Sequence, residues 1–288
     1  MINRICISIN NQCNLACEYC HFREKGITAD KEMDVFEILD NVKQYAKGKF
    51  KIGFVGNGEA FLEWKKLRSY IEYIADSPNI SVYTITNGTV SVEDSEWLFL
   101  EDRAVNVGFS IDGYKELHDK YRCNSFDEAM KNVERYRSVT GHYPTFNATV
   151  GKESLKYSGK VISFFKQFGT RVTFSRMIGP LGITLQKYRE FLLLAEKEIP
   201  VRRGGLDCTM YGGQCGAGRN NFFFANGYTY FCGNCMDMQP IGPSSTRFEE
   251  LEKITLDFNR NNCFKETAYE NWTIRDAYGG EDIYLKSN

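Results

Sequence analysis

Along the first two-thirds of the chain, short runs of β-branched and aromatic residues alternate with longer stretches whose apolar positions recur every three to four residues. The short runs fall at 4–10, 51–56, 81–87, 106–112, 145–150 and 171–177, and most end on or beside Gly, Asn or Asp. Between them lie helical patterns at 31–46, 61–75, 91–100, 125–139 and 154–168. Strands that alternate regularly with helices build parallel β/α units, and six such units suit an open barrel better than a flat sheet. The expected fold is therefore α/β, a partial (β/α)6 barrel. After Met177 the rhythm changes. A helix at 184–199 leads into a Gly- and Cys-rich region, in which 221–231 reads as a hairpin turning at Asn226-Gly227. This divides the chain into a barrel unit at 1–200 and a small C-terminal Cys-rich unit at 201–288.

In parallel β/α barrels the working groups gather at the C-terminal ends of the strands. Segments 11–22, 56–60, 87–88, 110–113 and 175–179 all lie at or just after the end of a predicted strand, so candidate chemistry is sought there. Charge and hydropathy narrow the classes. The 36 Lys+Arg and 37 Asp+Glu leave a net charge of -1, so no global field draws the chain to nucleic acid or an anionic membrane. No apolar run approaches the ~20 residues of a spanning helix, and the first ten residues lack the apolar centre of a secretory signal. A cytoplasmic monomer without nucleic-acid or membrane partners is expected.

Ten cysteines without an export signal point to metal binding or catalysis rather than to disulfides. Cys13, Cys17 and Cys20 form one set, and Cys208, Cys215, Cys232, Cys235 and Cys263 another; Cys6 and Cys123 stand apart. Three thiols spaced Cys13-x3-Cys17-x2-Cys20 on one loop can wrap a single inorganic cubane. A [4Fe–4S] cluster normally takes four thiolates, so three leave one iron open to a non-protein ligand. The alternatives are buried structural cysteines or zinc, for which His21 is the local candidate as fourth ligand.

With Cys-Asn-Leu-Ala-Cys-Glu-Tyr-Cys at 13–20 and an aromatic residue, Tyr19, before the third cysteine, the chain resembles the radical S-adenosylmethionine superfamily. The resemblance implies a [4Fe–4S] cluster whose open iron is chelated by S-adenosylmethionine. It also implies reductive cleavage to a 5′-deoxyadenosyl radical that takes a hydrogen atom from the substrate, with the cofactor supplying the chemistry and the protein the orientation. Gly56-Asn57-Gly58-Glu59 looks like the family's Gly-Gly-Glu segment for the cofactor's amino group, with Asn57 in place of the second Gly and Ala60 in place of the following Pro. Ser110 and Asp112 resemble the ribose-facing segment after the fourth strand, and Arg122 resembles an arginine that pairs with the cofactor carboxylate, a task suited to a planar cation. Asn87 reads either as a cofactor contact or as a turn residue.

The second set, with Gly227 between Cys215 and Cys232, resembles the opening of the SPASM-type auxiliary domain of peptide-modifying members. Its cysteine supply fits one auxiliary [4Fe–4S] cluster, the shortened twitch form, with a four-cysteine zinc site as the rival. The expected ligands are Cys208, Cys215, Cys232 and Cys263. The Cys232-x2-Cys235 pair makes Cys235 the alternative fourth ligand. As the spare thiol, Cys235 is a candidate catalytic hydrogen-atom donor.

The leading functional expectation is a peptide maturase that abstracts a hydrogen atom from a ribosomally made peptide, giving an epimerised residue or a cross-link. The first strand begins almost at Met1, so any peptide is expected to be held without a leader-binding domain. The alternatives are a radical dehydrogenase of a small alcohol or sugar, and a non-catalytic iron–sulfur protein. A flavodoxin- or ferredoxin-type protein is the expected electron donor.

Overall fold

The computed structural model of the chain describes residues 1–20, 22, 32–202, 208–236, 240–256, 258–264 and 286–287. His21 and the rest of the expected auxiliary unit lie outside these residues. Six parallel strands follow one another across the sheet: β1 (Arg4–Ile7), β2 (Phe50–Phe54), β3 (Ile80–Thr86), β4 (Asn106–Ser110), β5 (Thr145–Val150) and β6 (Val172–Arg176). Each is followed by helix. The helices are α1 (Val35–Tyr45), α2 (Trp64–Ala75), α3 (Asp94–Asp102), α4 (Lys115–Tyr121), α5 (Phe126–Thr140), α6 (Lys152–Lys156), α7 (Ser158–Lys166) and α8 (Leu185–Ala195). In its strand order this is a partial (β/α)6 barrel.

The pattern of side chains explains why the sheet has one wet face and one dry face. Ile5, Ile7, Ile52 and Phe54 are fully buried, while their alternate neighbours Arg4, Cys6 and Val55 line a cavity. Close approaches inside the barrel select glycine: a Cβ on Gly53 would sit 2.3 Å from the Tyr83 ring, and one on Gly108 2.2 Å from the Asn147 amide. On the dry face Trp97 of α3 is 1% exposed and packs among Phe61, Phe109 and Tyr136, with ring centroids 5.4 to 5.9 Å away.

The predicted strands at 4–10, 51–56 and 106–112 run past the observed ends. Beyond those ends the side chains of Ser8 and Asn10 bond to loop carbonyls, those of Asn10 and Glu59, while Asp112 Oδ1 accepts the Thr149 N–H of β5. The predicted helix at 154–168 divides at Tyr157 into α6 and α7, and α4 was not predicted. The hairpin at 221–231 is present as β7 (Asn221–Ala225) and β8 (Tyr228–Tyr230), with φ 53° at Asn226 and 75° at Gly227, both positive as the tight hairpin turn demands. Its first strand pairs in parallel with β1, Arg4 opposite Asn221 and Ile7 opposite Phe224, so the sheet continues through the hairpin to β9 (Gly242–Pro243).

Candidate active site

A cavity of about 400 Å³ opens at the C-terminal ends of β1 to β4 and is lined by the first set of cysteines and by Cys208, Cys215, Cys232 and Cys263 of the second. Cys13, Cys17 and Cys20 stand on the loop after β1, and that loop is held from three sides. Glu59 donates its backbone N–H to Gln12 at 2.7 Å, Glu18 donates its own to the Tyr121 carbonyl at 2.8 Å, and Asn14 Nδ2 donates to Thr89 Oγ1 at 2.8 Å. Cys20 N–H closes a turn onto the Cys17 carbonyl at 3.1 Å, so all three thiols face one space.

The Gly56–Glu59 segment runs so close to this loop that glycine is required. A Cβ on Gly56 would fall 2.3 Å from Ser8 Cβ, and one on Gly58 2.0 Å from Asn10 Oδ1 and 2.3 Å from the Gln12 carbonyl. Asn57 ties the loop further, donating from Nδ2 to Asn11 Oδ1 at 2.7 Å and from its backbone to Ser8 Oγ at 2.9 Å. The Glu59 carboxylate, 3% exposed, accepts the N–H groups of Asn87 at 2.6 Å and Phe61 at 3.1 Å. Burial raises its pKa, and those N–H bonds and the Arg122 charge oppose the rise. Asn87 in turn points Nδ2 at Asn14 Oδ1 (2.9 Å) and, more distantly, at Cys13 Sγ (3.8 Å).

On the opposite wall a buried polar group joins the loop to the end of β4. Tyr19 lines the cavity and donates its hydroxyl hydrogen to Asp112 Oδ2 at 2.6 Å; Arg122 Nη1 donates to the Tyr19 oxygen at 2.6 Å and lies 4.0 Å from Asp112. Asp112 also accepts the Thr149 N–H at 2.8 Å and is 2% exposed, so Ser110 rather than Asp112 meets the cavity. Behind them His118 is fully buried. Its Nδ1 accepts the Asp112 N–H at 3.4 Å, its Nε2–H donates to Ser125 Oγ at 3.0 Å, and Ser125 donates to the Arg122 carbonyl at 2.6 Å. Sequence reasoning passed over His118 because the short helix α4 that carries it was not recognised.

Two kinds of orphaned buried atom show what the cavity can take. Arg122 Nε is a donor without a partner, suited to a carboxylate, while Asn57 Oδ1 is an acceptor without one, suited to an ammonium, and both residues line the cavity. An amino-acid moiety beside the three thiols satisfies both. The residues therefore fit S-adenosylmethionine chelating a cluster through its methionyl end.

The second thiol set lies across the same cavity. Cys208, Cys215, Cys232 and Cys263 all line it, and burial pushes the Cys208 thiol up to about 12, with Cys232, Cys263 and Cys215 as its charged neighbours. Cys235 is 1% exposed and does not line the cavity; its Sγ packs 3.3 Å from Cys232 Sγ. Among the described residues no three His, Cys, Asp or Glu side chains converge at single-ion spacing. Four thiolates around zinc would stand roughly 4 Å apart, whereas a cubane takes wider-set ligands.

The family model of the Radical SAM superfamily matches residues 7–154, just over half of the chain. The chain belongs to the radical SAM superfamily. Cys13, Cys17, Cys20, Gly56–Glu59, Ser110, Asp112 and Arg122 all fall within that radical SAM match. S-adenosylmethionine and a [4Fe–4S] cluster are accordingly its cofactors. A Cysteine-type anaerobic sulfatase-maturating enzyme of Clostridium novyi (strain NT) is 29% identical over 176 residues, which are 55% of this chain and 46% of the relative. The chain thus spans about half the length of the curated relatives it matches. In fold it is similar to native anSMEcpe with bound AdoMet and Cp18Cys peptide (TM-score 0.67, 21% identity, 90% of this chain and 81% of that one). It is also similar to Streptococcus suis SuiB bound to precursor peptide SuiA (TM-score 0.68, 15% identity, 88% and 64%). No helix among the described residues is long and apolar enough to cross a membrane.

Proposed function

We propose that this radical SAM enzyme abstracts a hydrogen atom from a residue of a ribosomally made peptide, leaving that residue epimerised or cross-linked. The observation that carries this reading is the single cavity that holds both thiol sets, with the cofactor wall on one side and Cys208, Cys215, Cys232 and Cys263 on the other. Two fold relatives whose structures contain peptides support it. When bound, S-adenosylmethionine and its cluster supply the 5′-deoxyadenosyl radical.

The chain's own residues have the following roles in this reading. Cys13, Cys17 and Cys20 hold the first cluster, Arg122 and the Gly56–Glu59 backbone orient the methionyl group, and Ser110 faces the sugar. The unit at 201–288 holds an auxiliary [4Fe–4S] cluster through Cys208, Cys215, Cys232 and Cys263. For the epimerising outcome the hydrogen-atom donor is Cys235, whose Sγ lies 3.3 Å behind that of the cavity-lining Cys232. A low-potential carrier protein supplies the electrons.

The test is anaerobic incubation of the reconstituted chain with S-adenosylmethionine, a reductant and candidate peptides. 5′-Deoxyadenosine should rise with the true peptide, and in heavy water an inverted residue should gain one deuterium, whereas a cross-link should lose two hydrogens. Deoxyadenosine formation stimulated only by a small alcohol or sugar would replace the peptide reading with the dehydrogenase one.

A further inference from the structure

Four cations meet at the N-terminal mouth of the barrel, the end away from the cofactor wall. Arg4 and Lys51 are direct cross-strand partners at the start of β1 and β2. Arg171 leads into β6, its carbonyl accepting the Phe146 N–H at 3.1 Å, and Arg202 runs beside the same strand, donating its backbone N–H to the Val172 carbonyl at 2.9 Å. Like charges directly opposite each other in a sheet are destabilising, and four together are more so. Burial first, then the charges of Arg202, Arg4 and Arg171, lower the Lys51 pKa; burial, Arg171 and Arg4 likewise lower that of Arg202, against Tyr83 and Tyr211. The largest charges acting on either are those of arginines and tyrosines, not of carboxylates.

The group is graded from inside to outside. Arg4 lines the cavity, has Cys208 among its charged neighbours, and keeps a buried Nε with no partner. Lys51 and Arg202 are half-buried, and Arg171 is exposed. A small anion inside the cavity needs only Arg4. A column of positive charge that extends to an exposed arginine suits a partner that approaches from solvent and carries many negative charges. The chemistry requires such a partner: each cleavage of S-adenosylmethionine to methionine and a deoxyadenosyl radical takes up one electron, which must come from outside.

We propose that the exposed Arg171 and the half-buried Lys51 and Arg202, continued inward by Arg4, form the docking surface for an acidic one-electron carrier protein, which is oxidised by one electron as it reduces the auxiliary site through Cys208. This rests on the reading of Cys208 as an auxiliary-cluster ligand. The experiment is anaerobic stopped-flow bleaching of the iron–sulfur absorbance in the full reconstituted chain, without substrate. Reduced flavodoxin is the acidic carrier and photoreduced 5-deazaflavin the small uncharged reductant. The Arg171→Glu/Arg202→Glu variant should be reduced by flavodoxin at least tenfold more slowly than the parent at low salt, and at an unchanged rate by deazaflavin. The parent's flavodoxin rate should fall steeply as sodium chloride is raised, as exposed charge pairs are screened. Equal flavodoxin rates for parent and variant, a parent rate indifferent to salt, or a loss shared by both reductants would each overturn the docking surface. Iron content separates the two levels: about four irons in the parent, instead of the roughly eight of two cubanes, sinks the auxiliary reading, whereas eight irons with unaltered kinetics sinks the docking surface alone.

Discussion

The Tyr19 hydroxyl donates to Asp112 Oδ2 across 2.6 Å, fastening the residue before the third cysteine to the end of β4. Arg122 completes the arrangement by donating from Nη1 to the Tyr19 hydroxyl oxygen. In Tyr19→Phe the buried Asp112 keeps only the Thr149 N–H and a guanidinium 4.0 Å away. The variant should lose about 1–3 kcal/mol of stability. Its affinity for S-adenosylmethionine should drop roughly tenfold, the size of one charge-assisted hydrogen bond, with iron content unchanged. Equilibrium dialysis of the reconstituted variant measures this, and parental affinity would show that Tyr19 acts on folding alone.

Gly58 has no room for a side chain, because the clash is with the Gln12 backbone as well as with Asn10. Gly58→Ala should displace the cysteine loop from the Gly56–Glu59 segment and strongly reduce iron at the first site, since the Glu59 to Gln12 backbone bond cannot survive the shift. Gly141→Ala is the control: its position is open space, although its φ of 83° makes the substitution mildly strained. It should keep its iron and give up about 1 kcal/mol by thermal unfolding.

Removing cysteines separates the two clusters and ranks Cys235 against Cys263. The Cys13/Cys17/Cys20 triple alanine variant should retain about half of the iron, held at the second set. Cys263→Ala, at a cavity-lining position, should lose the auxiliary iron, whereas Cys235→Ala should keep it and still cleave S-adenosylmethionine. Reversal of those two results would exchange the roles of the two residues.

His118 makes the fold acid-sensitive. Burial pushes its pKa down to about 4, and the Arg122 and Lys115 charges add to the fall while Asp112 opposes it. Above about pH 6.5 the ring is neutral in both the folded and the unfolded chain. Between there and pH 4 the unfolded chain binds the proton and the folded one does not, so stability present above pH 6.5 is lost as the pH falls, by roughly 3 kcal/mol in all. Urea unfolding of protein with matched iron content at pH 7.5 and 5 should show a shallower pH slope for His118→Gln than for the parent. Identical slopes would assign the acid sensitivity to other groups.

The local signals were strong wherever a run of residues carries its own period or spacing. Six strands in order, the Cys13-x3-Cys17-x2-Cys20 loop, the Gly-rich turn after β2 and the Asn226-Gly227 hairpin are all legible, because each depends on neighbours a few residues away. Helix α4 was not legible: Lys115–Tyr121 is seven residues long and mostly polar, too short for an apolar stripe to stand out. Its loss hid His118 and with it the bond path between Asp112 and Arg122. What the tertiary structure alone decided are pairings between residues far apart in the chain. Strand β7 pairs with β1 across more than 200 residues, Cys263 joins Cys208, Cys215 and Cys232 at one cavity, and Arg4, Lys51, Arg171 and Arg202 converge at one mouth. None of these has a periodic or spacing signature, because the free energy that selects them comes from backbone bonding across the sheet and burial against distant side chains, and neither is encoded in any short window of sequence.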